Sequence, residues 1–166
     1  MTESERGSAV SATAGAVKGL FAGLRGKGVS GELDTQIAVM LPIVAAMVAD
    51  GMVEDEELAQ IHAVCDFSPI YERNSLTQNE MLVGRAIRII DDLGLENACR
   101  AAREQLSRAL CETAFVHAVR VIFCDGYVGQ LEREVVEQMI GWLEIDRDRA
   151  RMMTEVVSIM QHSASA

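Results

Sequence analysis

The chain is poor in most of the residues that build catalytic or nucleic-acid-binding surfaces. It has three histidines, His62, His117 and His162, too few and too scattered for a recognisable catalytic set. His62 and His117 sit among apolar neighbours and read as packed or surface histidines. Only two lysines are present, and the net charge is −10, which excludes nucleic acid as the main partner because phosphate binding needs a basic surface. No G-x-x-x-x-G-K sequence exists to cradle a phosphate. The four cysteines, Cys65, Cys99, Cys111 and Cys124, show no C-x-x-C spacing and lie among apolar residues, where a thiol behaves as a small hydrophobe. No basic start leads into an uninterrupted apolar run, and no apolar stretch reaches about 18 charge-free residues. The expectation is a cytoplasmic, reduced protein without a transmembrane helix. Two prolines and seven aromatics leave little for a β-rich fold.

What is present is a helix former's vocabulary. Apolar residues make up 49% of the 166, enough for a core, and Ala, Leu, Met, Glu and Arg dominate the long segments. The fold class expected is all-α, with about seven helices. Residues 1–31 stand apart: they hold seven of the thirteen glycines, both lysines (Lys18 and Lys27) and four basic residues against two acids. They form a mildly basic leader on a strongly acidic body, residues 32–166. In the leader, Val10, Ala14, Val17, Leu20, Phe21 and Leu24 recur at helical spacing, and Gly15, Gly19 and Gly23 make a small-residue ridge. Two readings follow: an amphipathic segment, residues 10–27, that touches a membrane surface or a partner, or a first helix that packs its stripe on the body.

In the body, Leu33–Ala49 is a nearly continuous apolar run that reads as a buried core helix, with Pro42 expected to kink it or end its first part. Glu54–Cys65 follows, with Leu58, Ile61, Val64 and Cys65 inward. Ser75-Leu-Thr-Gln78 has the form of a capping box opening Leu76–Leu93, and Gly94 of its C-terminal cap. Leu82, Ile87, Ile89 and Ile90 are its inward candidates. Glu96–Cys124 is one helix, or two with a break near Leu110–Thr113. Leu131–Leu143 and Arg147–Met160 complete the set. Methionines such as Met152, Met153 and Met160 suit core or interface packing. Arg100, Arg103, Arg108 and Arg120 suit a solvated face paired with local acids.

Sliding the chain on itself by 75 residues brings an internal repeat into register. Both copies carry an apolar helix, then Asp-Gly, one variable residue, Val, three further residues and Glu. The matching pairs are Asp50 with Asp125, Gly51 with Gly126, Val53 with Val128, and Glu57 with Glu132. A glycine at positive φ and a valine tucked back inside suit a tight helical hairpin. The spacing also matches the second half of a calcium-binding EF-hand loop, with Asp at position 5, Gly at 6 and Glu at 12. Positions 1 and 3 would fall on Ala46 and Val48, or Val121 and Phe123, which offer no side-chain oxygen, so a complete EF-hand is excluded. The four acids Asp50, Glu57, Asp125 and Glu132 then have two readings. They are the metal-ligand candidates for a weakly bound divalent cation, or they are helix-end residues bonded to free backbone N–H groups.

The twice-repeated A/C-D-G-x-V-x-x-x-E hairpin, together with the leader segment Ala16-Val-Lys-Gly-Leu-Phe21, resembles the TerB family of tellurite-resistance proteins and the TerB-like domain of the membrane co-chaperone DjlA. The resemblance runs from Val10 to Met160. It implies a helical bundle with pseudo-twofold symmetry between the two Asp-Gly hairpins. It also implies a bacterial cytoplasmic protein linked to tellurite and stress resistance, working at the inner membrane with other Ter-type proteins and with metal ions. The family's acidic motif positions fall on Asp50, Glu57, Asp125 and Glu132. Gly129 and Gln130 stand where relatives often carry further acids, a departure that weighs against two equal metal sites. Two functions remain open from the sequence. One is a non-enzymatic scaffold binding other stress-response proteins, a membrane surface or a second copy of itself; the other is a divalent-metal-binding or metal-sensing protein.

Overall fold

The sequence from Ile37 to Met47 carries no charged residue, and such a helix has no face to show to water. In a computed structural model of the protein, which describes residues 34–49, 51, 55–123 and 128–162 (without the Glu56 side chain), this segment is the helix at the centre. Helix α1 spans Thr35–Met47, and every residue from Ile37 to Met47 is buried. Asp34 starts it by accepting the Ile37 amide at 2.9 Å. The leader, Asp50, Val53, Cys124, Asp125, Gly126 and the last four residues lie outside the described residues.

Six further helices follow: α2 Asp55–Phe67, α3 Leu76–Leu93, α4 Leu95–Gln105, α5 Arg108–Ile122, α6 Gln130–Trp142 and α7 Arg147–Met160. Among the described residues there is no strand, and no helix is long and apolar enough to cross a membrane. The bundle is all-α, with α1 packed against α2, α3, α4, α5 and α6. Helix α5 is the second central element, with Cys111, Ala114, Phe115, Ala118, Val119, Val121 and Ile122 buried. Each large apolar side chain enclosed in this way contributes roughly 1.5–3 kcal/mol.

The repeat is a repeat of geometry as well as of letters. Helices α1 and α5 end 75 residues apart, at Met47 and Ile122, and close with the same cap. Val48 and Phe123 have φ/ψ of −95°/6° and −84°/6°. The amide of Val48 donates to Val44 and Ala46 carbonyls, and that of Phe123 to Val119 and Val121 carbonyls. Helices α2 and α6 are 13 residues each and again begin and end 75 residues apart. The packing follows suit: α1 lies on α6 as α5 lies on α2, and α1 lies on α3 as α5 lies on α7.

Local signals explain most boundaries. Ser75 and Gln78 make the expected capping box, with Ser75 Oγ accepting from Gln78 N and Gln78 Oε1 from Ser75 N. Gly94, at φ 80°, ends α3 and joins it directly to α4. Ile89 and Ile90 are buried, while Leu82 and Ile87 are half-buried against the core.

Two expectations need correction. Pro42 does not end α1, which runs through it as one helix. The proline has no N–H to give Ala38, but ten buried neighbours hold the helical path more strongly than one missing hydrogen bond breaks it. The break between α4 and α5 falls at Leu106–Ser107 rather than at Leu110–Thr113. Leu106 turns extended and buries its side chain, and Ser107 caps α5 by accepting the Leu110 amide. Of the methionines read as core or interface residues, Met153 packs against the core, while Met152 and Met160 are exposed.

A polar knot fastens the loop after α2 to the start of α1. Tyr71, 1% exposed, donates its hydroxyl to the Gln36 carbonyl at 3.1 Å. Gln36 and Asn74 bond each other through both amide ends, at 3.2 and 3.3 Å. Gln36 also donates to the Ile70 carbonyl at 2.8 Å, and Asn74 to the buried Asn79 at 3.0 Å. Burial, and then nearby Cys65 and Asp34, push the Tyr71 phenol pKa far up, so it stays a donor. Tyr71→Phe is expected to lower unfolding free energy by about 1 kcal/mol, and Asn74→Ala by more because it removes the partner of both the buried Asn79 and the half-buried Gln36. Urea titration followed by circular dichroism checks both, and equal losses in the two variants would count against the knot.

Candidate functional site

Each repeated hairpin sets a glutamate three residues into its second helix. Glu57 is the third residue of α2 and Glu132 the third residue of α6. At that position a carboxylate can reach back to the amide at the helix start, and it lies where the helix dipole favours negative charge. Glu132 does this: its Oε2 accepts the Gly129 N–H. Glycine has no side chain to complete a capping box, so Glu132 supplies the whole side-chain cap of α6. A Cβ at Gly129 would stand 3.0 Å from Glu132 Oε2, close enough that the carboxylate would have to give by a few tenths of an ångström. Glu57 is buried, 7% exposed, although it closes the acidic run Glu54-Asp55-Glu56-Glu57.

The remaining hairpin features agree with a tight turn. Gly51 takes φ 80° and donates its N–H to the Val48 carbonyl at 3.1 Å. Val128 packs against the core as expected of the repeat valine. Ala46 and Val121, the first positions of a hypothetical calcium loop, lie buried inside α1 and α5, and Val48 and Phe123 cap those helices. Of the four metal-ligand candidates, the structure therefore describes Glu57 and Glu132, while Asp50 and Asp125 lie outside the described residues. Among the described residues, no three His, Cys, Asp or Glu side chains gather closely enough to hold a metal ion.

Cys65, Cys99 and Cys111 are buried and unpaired. Burial, helped by Asp66, pushes the Cys65 thiol up to about 11, and burial alone pushes Cys99 up to about 12. Burial raises Cys111 as well. All three are neutral thiols at physiological pH, which suits packing and not nucleophilic attack. Of the four arginines expected to pair with local acids, two do, Arg100 with Glu96 at 2.9 Å and Arg108 with Glu112 at 3.6 Å, while Arg120 lines a groove instead. Arg103 reaches Glu144, 41 residues on, at 2.9 Å. Glu112 also takes Arg149 as a two-bond partner, 3.0 and 2.8 Å, which ties α5 to α7 and holds the Glu112 carboxyl below its ordinary range.

One surface feature escaped the sequence. Phe67, the last residue of α2, is 82% exposed, an unusual position for so large an aromatic ring. It stands at a groove of about 340 Å³ between α2 and α5. Val64, Pro69 and Ile70 line one side; Leu110, Thr113, His117 and Arg120 line the other, one face of α5 at helical spacing. His117 Nδ1 is buried with no hydrogen-bond partner among the described residues. Burial, and then Arg120, lower the His117 pKa, so the ring is neutral at pH 7. The groove is thus an apolar trough with a neutral imidazole and a guanidinium at one wall. The outward turn of Phe67 was not legible from the sequence.

No protein-family model, curated protein or solved structure matches the chain.

Two outcomes test these assignments. If Glu132 is a cap, Glu132→Gln keeps most of the stability, since Gln fills the same role, and Glu132→Ala loses about 1 kcal/mol. A cation ligand would instead make both variants lose a stabilisation by millimolar calcium, magnesium or zinc that the parent protein shows; thermal melts with and without each ion decide. For His117, the lowered folded pKa means that the unfolded chain binds the proton more readily. The contribution of neutral His117 is therefore complete above about pH 6.5 and is lost as pH falls toward the lower folded value. His117→Gln should flatten the fall in melting temperature between pH 7.5 and 5; an unchanged slope would show that His117 is not the titrating group.

Proposed function

We propose that the protein is a non-enzymatic, partner-binding module of TerB type that serves a tellurite- or stress-response assembly. Its binding face is the groove between α2 and α5. The observation that carries this reading is Phe67: an aromatic side chain left in water at the mouth of an apolar trough is a ready anchor for another chain. Pro69, Ile70 and Leu110 give that partner apolar contact, and His117 and Arg120 give it polar contacts that fix orientation. The polar groups with the greatest burial support a scaffold reading, because Ser68, Tyr71 and Asn79 are used to fasten the loop after α2. Glu132 is likewise engaged as a helix cap. The duplicated hairpin and the leader motif supply the link to the TerB family.

The test is made in the native host. Deleting the gene should lower tolerance to tellurite, and the parent chain should restore it. Phe67→Glu should fail to restore it although the variant folds, because the substituted side chain is already in solvent. Unchanged tolerance in the deletion strain overturns the stress-response role. Full rescue by Phe67→Glu overturns the groove.

A further inference from the structure

A second surface, on the last helix, is apolar without any role in the bundle. On α7, Met152, Val156, Ile159 and Met160 are 56%, 56%, 57% and 70% exposed. Their 4-3-1 steps put them on one stripe, and Met152, Val156 and Ile159 follow the spacing of a two-helix seam. Together they leave on the order of 400 Å² of apolar surface in water, the size of the largest patch on a typical monomer, which is often functional. Ala150 and Val157, on another face, are the residues by which α7 is buried in its own bundle.

We infer that this stripe joins two copies of the chain, α7 against α7 in antiparallel array about a twofold axis near Val156. Three observations favour a second copy over another partner. First, the stripe is self-complementary in this sense, since Met152 of each copy meets Met160 of the other and Val156 meets itself. Second, charge selects this face. The chain carries −10 overall, so two copies repel through most of their surfaces, but at α7 Arg147, Arg149 and Arg151 are paired with Glu137, Glu112 and Asp148, so this helix adds little to that repulsion. A basic partner suited to the acidic body finds no excess of negative charge at this helix. Third, α7 has no basic residue in its last turn to meet its free carbonyls. The antiparallel array sets the arginine-bearing start of one helix beside the carbonyl end of the other, the favourable sense for the helix dipoles. The stripe supplies about half of the roughly 800 Å² per partner that a standard interface buries, and the flanking side chains of a helix pair supply the rest. The Met side chains adapt to the fit.

This inference is independent of the Phe67 groove. Sedimentation equilibrium on the full chain, from 1 to about 100 μM, is expected to give twice the 18.1 kDa of one chain at the upper end. Val156→Glu, which changes an exposed side chain, should return the mass to one chain with an unchanged circular-dichroism spectrum. The chain running as a monomer at 100 μM overturns the inference. So does a dimer that Val156→Glu leaves intact, including one that is lost only when residues 1–31 are removed.

Discussion

Eleven successive residues without a charge, Ile37 to Met47, have to be taken out of water on every side, and the rest of the bundle is arranged to do it. No single neighbour can cover a helix all round, so α1 needs α2 to α6 about it. A globular chain meets such a demand by making one helix the axle and giving the others one apolar stripe each. The surrounding helices follow that rule: α3 and α6 bury one face and leave Glu, Asp or Arg on the other. The polar knot at Gln36, Tyr71 and Asn74 belongs to the same constraint, because it fixes where the axle begins. Helix α5 is the second-copy answer to the same problem, and the two axles lie against each other.

The duplicated hairpin converts this packing into symmetry. Equal helix ends, equal caps and exchanged neighbours mean that each half covers the apolar helix of the other. In that arrangement the acids after each turn are drawn toward helix ends by geometry before any ligand is considered. Glu132 illustrates how a motif that resembles half a calcium loop can be satisfied by its own backbone. The proposed function sits away from the acidic turns, on what the bundle leaves uncovered: the Phe67 groove between α2 and α5.

Much of the architecture was legible because it is written in local chemistry. The capping box at Ser75–Gln78, the glycine at 94 and the ends of α7 each depend on a few adjacent residues. The repeat was legible because it compares the chain with itself. The α4–α5 break was misplaced because Ser107 caps α5 without the Glu or Gln that completes a box, leaving Leu106 as the decisive residue through its burial. Tyr71 could not be foreseen as a fastening point, since its partner is 35 residues away. The site was less legible still. Exposure of Phe67 and burial of Glu57 both run against residue type, and only the packing of α2 decides them.

The central position of α1 also has a price during synthesis. It is the earliest of the described helices to leave the ribosome, yet its main cover, α5, lies about 75 residues downstream. At roughly 5–20 residues per second, the segment from Ile37 to Met47 waits about 4 to 15 s for that partner. During that interval the nascent chain displays its most apolar stretch. Holding it apart from other chains is a task for the cell's folding machinery, and slowing translation between the two axles would lengthen it.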